Sequence, residues 1–188
     1  MAQLTTPRLV LRQWQERDLR SFAELNADPE VMRYFPAVLT RDESDELAAT
    51  IQATLAQQGW GLWAVEVPAV ASFIGFVGLN SVRFQAHFTP AVEVGWRLDL
   101  RFWGYGYASE AAHAALGIGF EALGLAQVVS FTAAVNERST RVMERLGMTR
   151  NPADDFDHPA VGDGPLRRNV LYRISRERFP GSQRTSDD

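Results

Sequence analysis

The chain has 188 residues, no cysteine and a formal charge of −4. That length suits one compact domain with a substantial core, and 46% hydrophobic against 22% charged residues is the balance of a soluble globular protein. The acidic surplus argues against broad nucleic-acid binding, which needs a basic face, and the missing thiol excludes disulfides, thiolate zinc sites and a cysteine acyl-enzyme.

Residues 1–7 lack the basic-then-apolar pattern of a signal peptide, and no apolar run nears the roughly 18 residues of a membrane span. A cytoplasmic location with no membrane partner is expected. Residues 8–12 alternate charged and apolar side chains as a short strand does. Residues 15–19 open a helix whose Leu19, Phe22, Ala23 and Leu25 share a face, and Asn26-Ala27-Asp28-Pro29 breaks it. A second helix, capped near Thr40 or Asp42, carries Leu47, Ile51, Thr54 and Leu55 at helical spacing until Gln58-Gly59. Residues 61–67 and 72–79 are β-branched and aromatic runs separated by Pro68-Ala69-Val70-Ala71, which suggests a hairpin. Residues 91–98 form a third such run, and Gly95 within it marks a bulge or a close approach of another backbone or a ligand.

Residues 98–110 combine a strand end, a glycine turn and a first helical turn. Gly104 and Gly106 let the backbone curl with its amides, from Phe102 to Tyr107, facing one point. The helix that follows aims its positive end there, and Arg101 adds a fixed charge. This is a phosphate-binding arrangement, or else a plain strand-to-helix connection with two glycines. A dinucleotide site would want a third small residue three places past the second glycine and an acid roughly 20 positions on. Ser109 holds the first place and residues 125–129 contain no acid. A triphosphate loop is absent too, since no Gly-Lys-Ser or Gly-Lys-Thr follows.

Beyond the turn, Ala108, Ala111, Ala112, Ala115, Gly119 and Ala122 make a stripe that lets a helix lie close to a sheet. Gly124 ends that helix and residues 127–135 supply the next strand. Asn136 opens an amphipathic helix with Val142, Met143 and Leu146 inward and Gly147 as its C-cap. Residues 151–165, acidic and proline-punctuated, are expected to be a loop between two strands, the second at 168–174. Residues 180–188 are expected to be a disordered tail, which leaves a single domain over 1–179. His87, His113 and His158 lack ligand spacing, so no metal is expected, and His113 is read as a surface or packing residue. Early hairpins followed by a strand-helix-strand crossover predict an α/β fold: a mixed, mostly antiparallel central sheet with helices on both faces.

Arg101-x-x-Gly104-x-Gly106-x-Ala108 resembles the pyrophosphate signature of the GCN5-related N-acetyltransferases. With Ile74-Gly75-x-Val77-Gly78-Leu79, Val92-Glu93-Val94-Gly95-Trp96-Arg97-Leu98 and Trp103-Gly104-x-Gly106-Tyr107-Ala108-x-Glu110-Ala111, the chain resembles the branch that modifies ribosomal-protein N-termini. The resemblance runs from about Pro7 to Phe179. It implies acetyl-coenzyme A as co-substrate, an amine acceptor and the acyltransferase fold; a second copy of the chain is a candidate partner. In that fold the strands ending at Leu98 and Val135 splay, and the pantetheine arm pairs with the backbone of Val94, Trp96, Arg97 and Leu98. The pyrophosphate sits on the turn of Arg101, Phe102, Trp103, Gly104, Tyr105, Gly106, Tyr107 and Ala108. Asn136 holds the cofactor arm, Ser139 lies close to the sulfur, and the two early helices line the acceptor side. The tyrosine proton donor of many relatives has no counterpart in residues 137–146, which leaves Ser139 or a water it holds.

Glu93 is the candidate general base. Its neighbours Val92, Val94 and Trp96 suggest partial burial, which raises a carboxyl pKa toward a working range. The alternative is an outward-facing carboxylate paired with Arg97 or another base. For Asn136 the alternative is a plain N-cap. An α-amine with a pKa near 8 is neutral at pH 7 far more often than a lysine with a pKa of about 10.4. A peptide or protein N-terminus is therefore the first acceptor and a small-molecule amine the second. The acidic residues 154–157 are expected to attract cationic amines. A sensor or scaffold that binds acyl-coenzyme A without turnover is the non-enzymatic alternative.

Overall fold

The computed structural model describes residues 3–180; apart from Pro180, the expected tail lies outside them. Strands β1 (Leu4–Thr5), β2 (Val10–Arg12), β3 (Leu62–Val67), β4 (Ala71–Ser81), β5 (Val92–Leu98), β6 (Gln127–Ala133), β7 (Thr149–Arg150), β8 (Phe156–Asp157) and β9 (Arg168–Ser175) build one sheet. The order is β1-β2-β3-β4-β5-β6-β9-β7, with β8 on β9. Every pairing is antiparallel except β5 with β6. Helices α1 (Asp18–Ala27) and α2 (Arg41–Gln58) fall between β2 and β3, α3 (Tyr107–Gly117) joins β5 to β6, and α4 (Glu137–Arg145) follows β6. This is the mixed, mostly antiparallel sheet that the sequence predicts.

Side-chain alternation along β4 decides which helix covers which face. Phe76 stands opposite Arg97, Gly78 opposite Gly95 and Asn80 opposite Glu93, so these six share one face. On that face Phe22 of α1 meets Phe76 edge-on at 5.9 Å and Phe73 at 6.3 Å, with Trp14 wedged 4.8 Å from Phe22. The other face carries Leu79, against which Gly119, just past α3, packs closely. Each large apolar side chain buried this way contributes about 1.5–3 kcal/mol.

Phe73 and Phe76 are three apart and would point to opposite faces of a regular strand. Both nonetheless pack against Trp14 and Phe22, because the β3–β4 register shifts between Val65 and Val67. The bulge thus lies on β4 and not at Gly95, which pairs regularly with Gly78. Gly75 closes the bulge with φ +130°, where an added Cβ would lie 2.1 Å from the Arg97 carbonyl oxygen.

The start of α1 is pinned by a buried ion pair. Arg12 donates to Asp18 at 2.7 and 2.9 Å, to Glu66 at 2.9 Å, and to the Ser72 carbonyl. Asp18 and Asn26 are buried in α1, whereas Ala23, expected on the inner face, is only partly covered. Helix α2 begins with the reciprocal cap of Thr40 and Glu43, which satisfies two of its orphan amides. After α3 the helix widens over Ile118–Ala122, where the Leu123 amide donates to the Ile118 carbonyl. Ala122 is exposed there, outside the buried stripe, and β6 stops at Ala133, so Val135 lies in a turn. Among the described residues no helix is long and apolar enough to cross a membrane.

Candidate active site

The two parallel strands barely touch. Glu93 opposite Val129 is their single register pair, and Ser130 Oγ donates to the Val94 carbonyl at 2.9 Å. From Gly95 onward β5 has β4 on one side and no strand on the other. A cavity of about 790 Å³ fills the gap. It is lined by Gly95, Trp96 and Leu98 from β5, by Ser130 and Thr132 from β6, and by Asn136 and Ser139 at the head of α4. A Cβ built on Gly95 would meet nothing within 4 Å.

At the end of β5 the Asp99 carboxylate accepts from the Arg101 amide at 2.9 Å and starts a tight turn over Leu100–Phe102. Trp103 Nε1 donates to the Leu98 carbonyl at 2.8 Å. Gly104 and Gly106 then adopt φ +84° and +82°, the left-handed region that costs other residues about 1–2 kcal/mol. Helix α3 begins with no side-chain cap, leaving its first amides free to meet an anion. Ser109 Oγ is buried without a hydrogen-bond partner and borders the cavity. An uncapped helix start, an orphaned hydroxyl and an unpaired strand edge along one cavity fit a diphosphate carrying an amide-rich arm.

The turn is braced from the far end of the chain. Arg8 donates to Glu110 at 2.6 Å and to the Tyr105 carbonyl at 2.9 Å, and lies 4.9 Å from the Tyr107 ring centroid. Thr6 Oγ1 donates to Glu110 at 2.6 Å. These bonds hold the Glu110 carboxyl below its usual pKa against the opposing effect of burial. Neither Arg8 nor Thr6 carries a local signal, because each acts across about a hundred residues. Arg101 turns its guanidinium onto Asp99 at 2.6 Å. Arg138 lies 4.7 Å from the Trp103 ring centroid and borders the cavity with Arg141 and Arg145.

Glu93 faces the same cavity where the strands part. Burial pushes its carboxyl up to about 7, opposed by the Asn80 amide that donates to it at 3.1 Å. It forms no ion pair with Arg97, whose Nη1 donates to Asn26 Oδ1 at 2.6 Å. Asn136 is an N-cap and a cavity residue at once. Its Oδ1 accepts from the Ser139 amide at 3.2 Å, while its Nδ2 donates to Thr132 Oγ1 at 2.9 Å and Ser139 Oγ at 3.1 Å.

Two further features were not expected from the sequence. Phe84, Phe88, Phe131 and Phe156 form an aromatic cluster with His158, 4.7 Å from Phe84. His158 borders the cavity, and burial lowers its pKa. The acidic segment is neutralised: Asp154 pairs with Arg173 at 3.1 Å, Asp155 with Arg150, and Asp157 with Arg168 at 3.3 Å. The cation-attracting loop expected from its composition is therefore spent on internal ion pairs. His113 is exposed, its ring 4.7 Å from that of Phe179.

A mixed sheet parted between two parallel strands, with this turn at the mouth, is the acyl-coenzyme A N-acyltransferase fold. Residues 8–149 match the acetyltransferase (GNAT) domain family, and the chain belongs to it. It is similar to the FsC-acetyl coenzyme A-N(2)-transacetylase of Aspergillus fumigatus, with 32% identity over 174 residues, 87% of this chain and 72% of that one. Among solved structures, a GNAT-family acetyltransferase from Bacillus anthracis superposes with a TM-score of 0.77 at 25% identity, over 94% of this chain and 99% of that one. The RimL ribosomal L7/L12 alpha-N-protein acetyltransferase, solved with coenzyme A, shares the fold with a TM-score of 0.73 at 16% identity, over 93% of this chain and 98% of that one. The chain is thus an acetyl-coenzyme A-dependent N-acetyltransferase.

Proposed function

We propose that the acceptor is a primary amine, a peptide or protein N-terminus before a small molecule, and that the chain stands with the ribosomal-protein N-terminal branch. The observation that carries the chemistry is Glu93, a carboxyl held near a pKa of 7 and facing the cavity where β5 and β6 part. A base of that pKa is half ionised at neutral pH and takes a proton from an ammonium group. The neutral nitrogen then attacks the thioester carbonyl; the C–N bond forms, the C–S bond breaks, and the second proton that the nitrogen sheds reaches the departing thiolate through Ser139 or a water held there. The pantetheine arm lies along Val94 to Leu98, and the pyrophosphate rests on the amides of Phe102 to Tyr107.

Purified protein mixed with acetyl-coenzyme A and a panel of amines, with free thiol monitored, tests this reading. Thiol release that depends on the amine and yields acetylated amine is expected. Coenzyme A binding with no thiol release for any amine would overturn it in favour of a non-catalytic sensor.

A further inference from the structure

Arg97 is the one cation on the α1 face of β5, and among the described residues no acid pairs with it. Among the described residues its guanidinium has one hydrogen bond, to the neutral Asn26 amide, and its Nε is buried with no partner. It lies 4.1 Å from the Phe35 ring centroid and 5.4 Å from that of Phe76. Burial pulls its pKa down to about 10. An arginine held between aromatic rings with unused in-plane donors is built to take a planar carboxylate.

The cavity has the matching charge. Among the described residues that line it, Glu93 is the only acid; of the four arginines, Arg138, Arg141 and Arg145 lie on α4 toward the turn, and Arg97 alone stands on the α1 face. The acids of the 154–157 segment are paired with arginines elsewhere. Such a surface disfavours polycations and favours an amine that carries its own negative group.

We propose that the acceptor is an amine bearing a carboxylate, with Arg97 gripping the carboxylate while the amine lies at Glu93. This rests on the amine-acceptor reading above and narrows it. The register sets the acceptor's length. Glu93 and Arg97 share a face four residues apart, roughly 13 Å along a strand, and strand side chains stand nearly perpendicular to the sheet. Subtracting a hydrogen bond of about 2.9 Å at each end leaves about 7 Å between amine and carboxylate. That is the reach of an extended dipeptide, not of an α-amino acid.

The test compares glycylglycine with glycylglycinamide, which keeps the amine and lacks the carboxylate. In the wild type, kcat/KM for the acid is expected to exceed that for the amide at least tenfold. The ratio should fall toward one in Arg97→Gln and recover in part in Arg97→Lys. Equal rates for acid and amide in the wild type would overturn the proposal. Should the variants fail to fold, glutarate decides the matter in the wild type. Inhibition competitive with the amide is expected, and no inhibition overturns the carboxylate site. If no amine is acetylated although coenzyme A binds, the amine reading fails separately. The carboxylate site is then judged by whether glutarate raises the melting temperature of the wild type; no rise overturns it.

Discussion

Glu93 carries opposite demands for stability and for chemistry. Its carboxyl is raised from 4.5 to about 7 by burial. Between those values the folded chain holds a proton that the unfolded chain has lost, so stability falls as pH rises through that window and levels off above it. Removing the charge removes the penalty. Glu93→Gln is expected to be more stable than wild type by about 2–3 kcal/mol near pH 8, with the gap closing toward about pH 4, as followed by urea unfolding. The same variant should lose about 100-fold or more in kcat/KM together with the rise in rate through about pH 7. A variant no more stable at high pH would show that the Glu93 charge carries no burial penalty, and one that keeps the wild-type pH profile would show that Glu93 is not the base. The acid was visible in the sequence as a lone charge in an apolar strand. Its partner Asn80 was not, since only the β4–β5 register brings the two together.

At the scale of elements, the turn between β5 and α3 depends on backbone that side chains resist. Gly106→Val places a β-branched residue at φ +82°, at a local cost of at least about 1 kcal/mol, and turns amides away from the ligand. Coenzyme A affinity measured by titration calorimetry should fall tenfold or more; unchanged affinity would remove the turn from the site. Asp18→Asn tests a second element, the anchored start of α1. Arg12, which is only 7% exposed, would lose its bidentate partner, and breaking such a pair costs about 3–5 kcal/mol. The retained Glu66 and Ser72 contacts place the expected loss in denaturant unfolding at the lower end. Helix periodicity places Asp18 where α1 opens but does not reveal that Arg12 lies beneath it. The longer helices and strands were legible from periodicity, and the twin-glycine turn from its spacing. The two-residue strands β1, β7 and β8 were not, being too short to show a period, and the bulge at Gly75 looked like ordinary β-sequence.

Across the whole molecule the sheet remains open from Gly95 onward, and one continuous cavity reaches from the turn at Gly104 to Glu93 and the α1 face. In the proposed reading both substrates occupy it at once and meet where the strands diverge. A relay through the protein would need an activated nucleophile. The chain has no cysteine, and Ser139 Oγ is bonded to the Asn136 amide at 3.1 Å, whereas Glu93 is bonded to Asn80. Among the described residues no base bonds the hydroxyl, and a serine without one is a poor nucleophile. Direct transfer in a ternary complex is the expected route. Double-reciprocal plots against each substrate at several levels of the other should intersect, and intact-protein mass spectrometry after incubation with acetyl-coenzyme A alone should show no stable acetyl-protein. Parallel lines, with an acetyl group that appears on Ser139 without acceptor and leaves when amine is added, would replace direct transfer with a serine-bound intermediate.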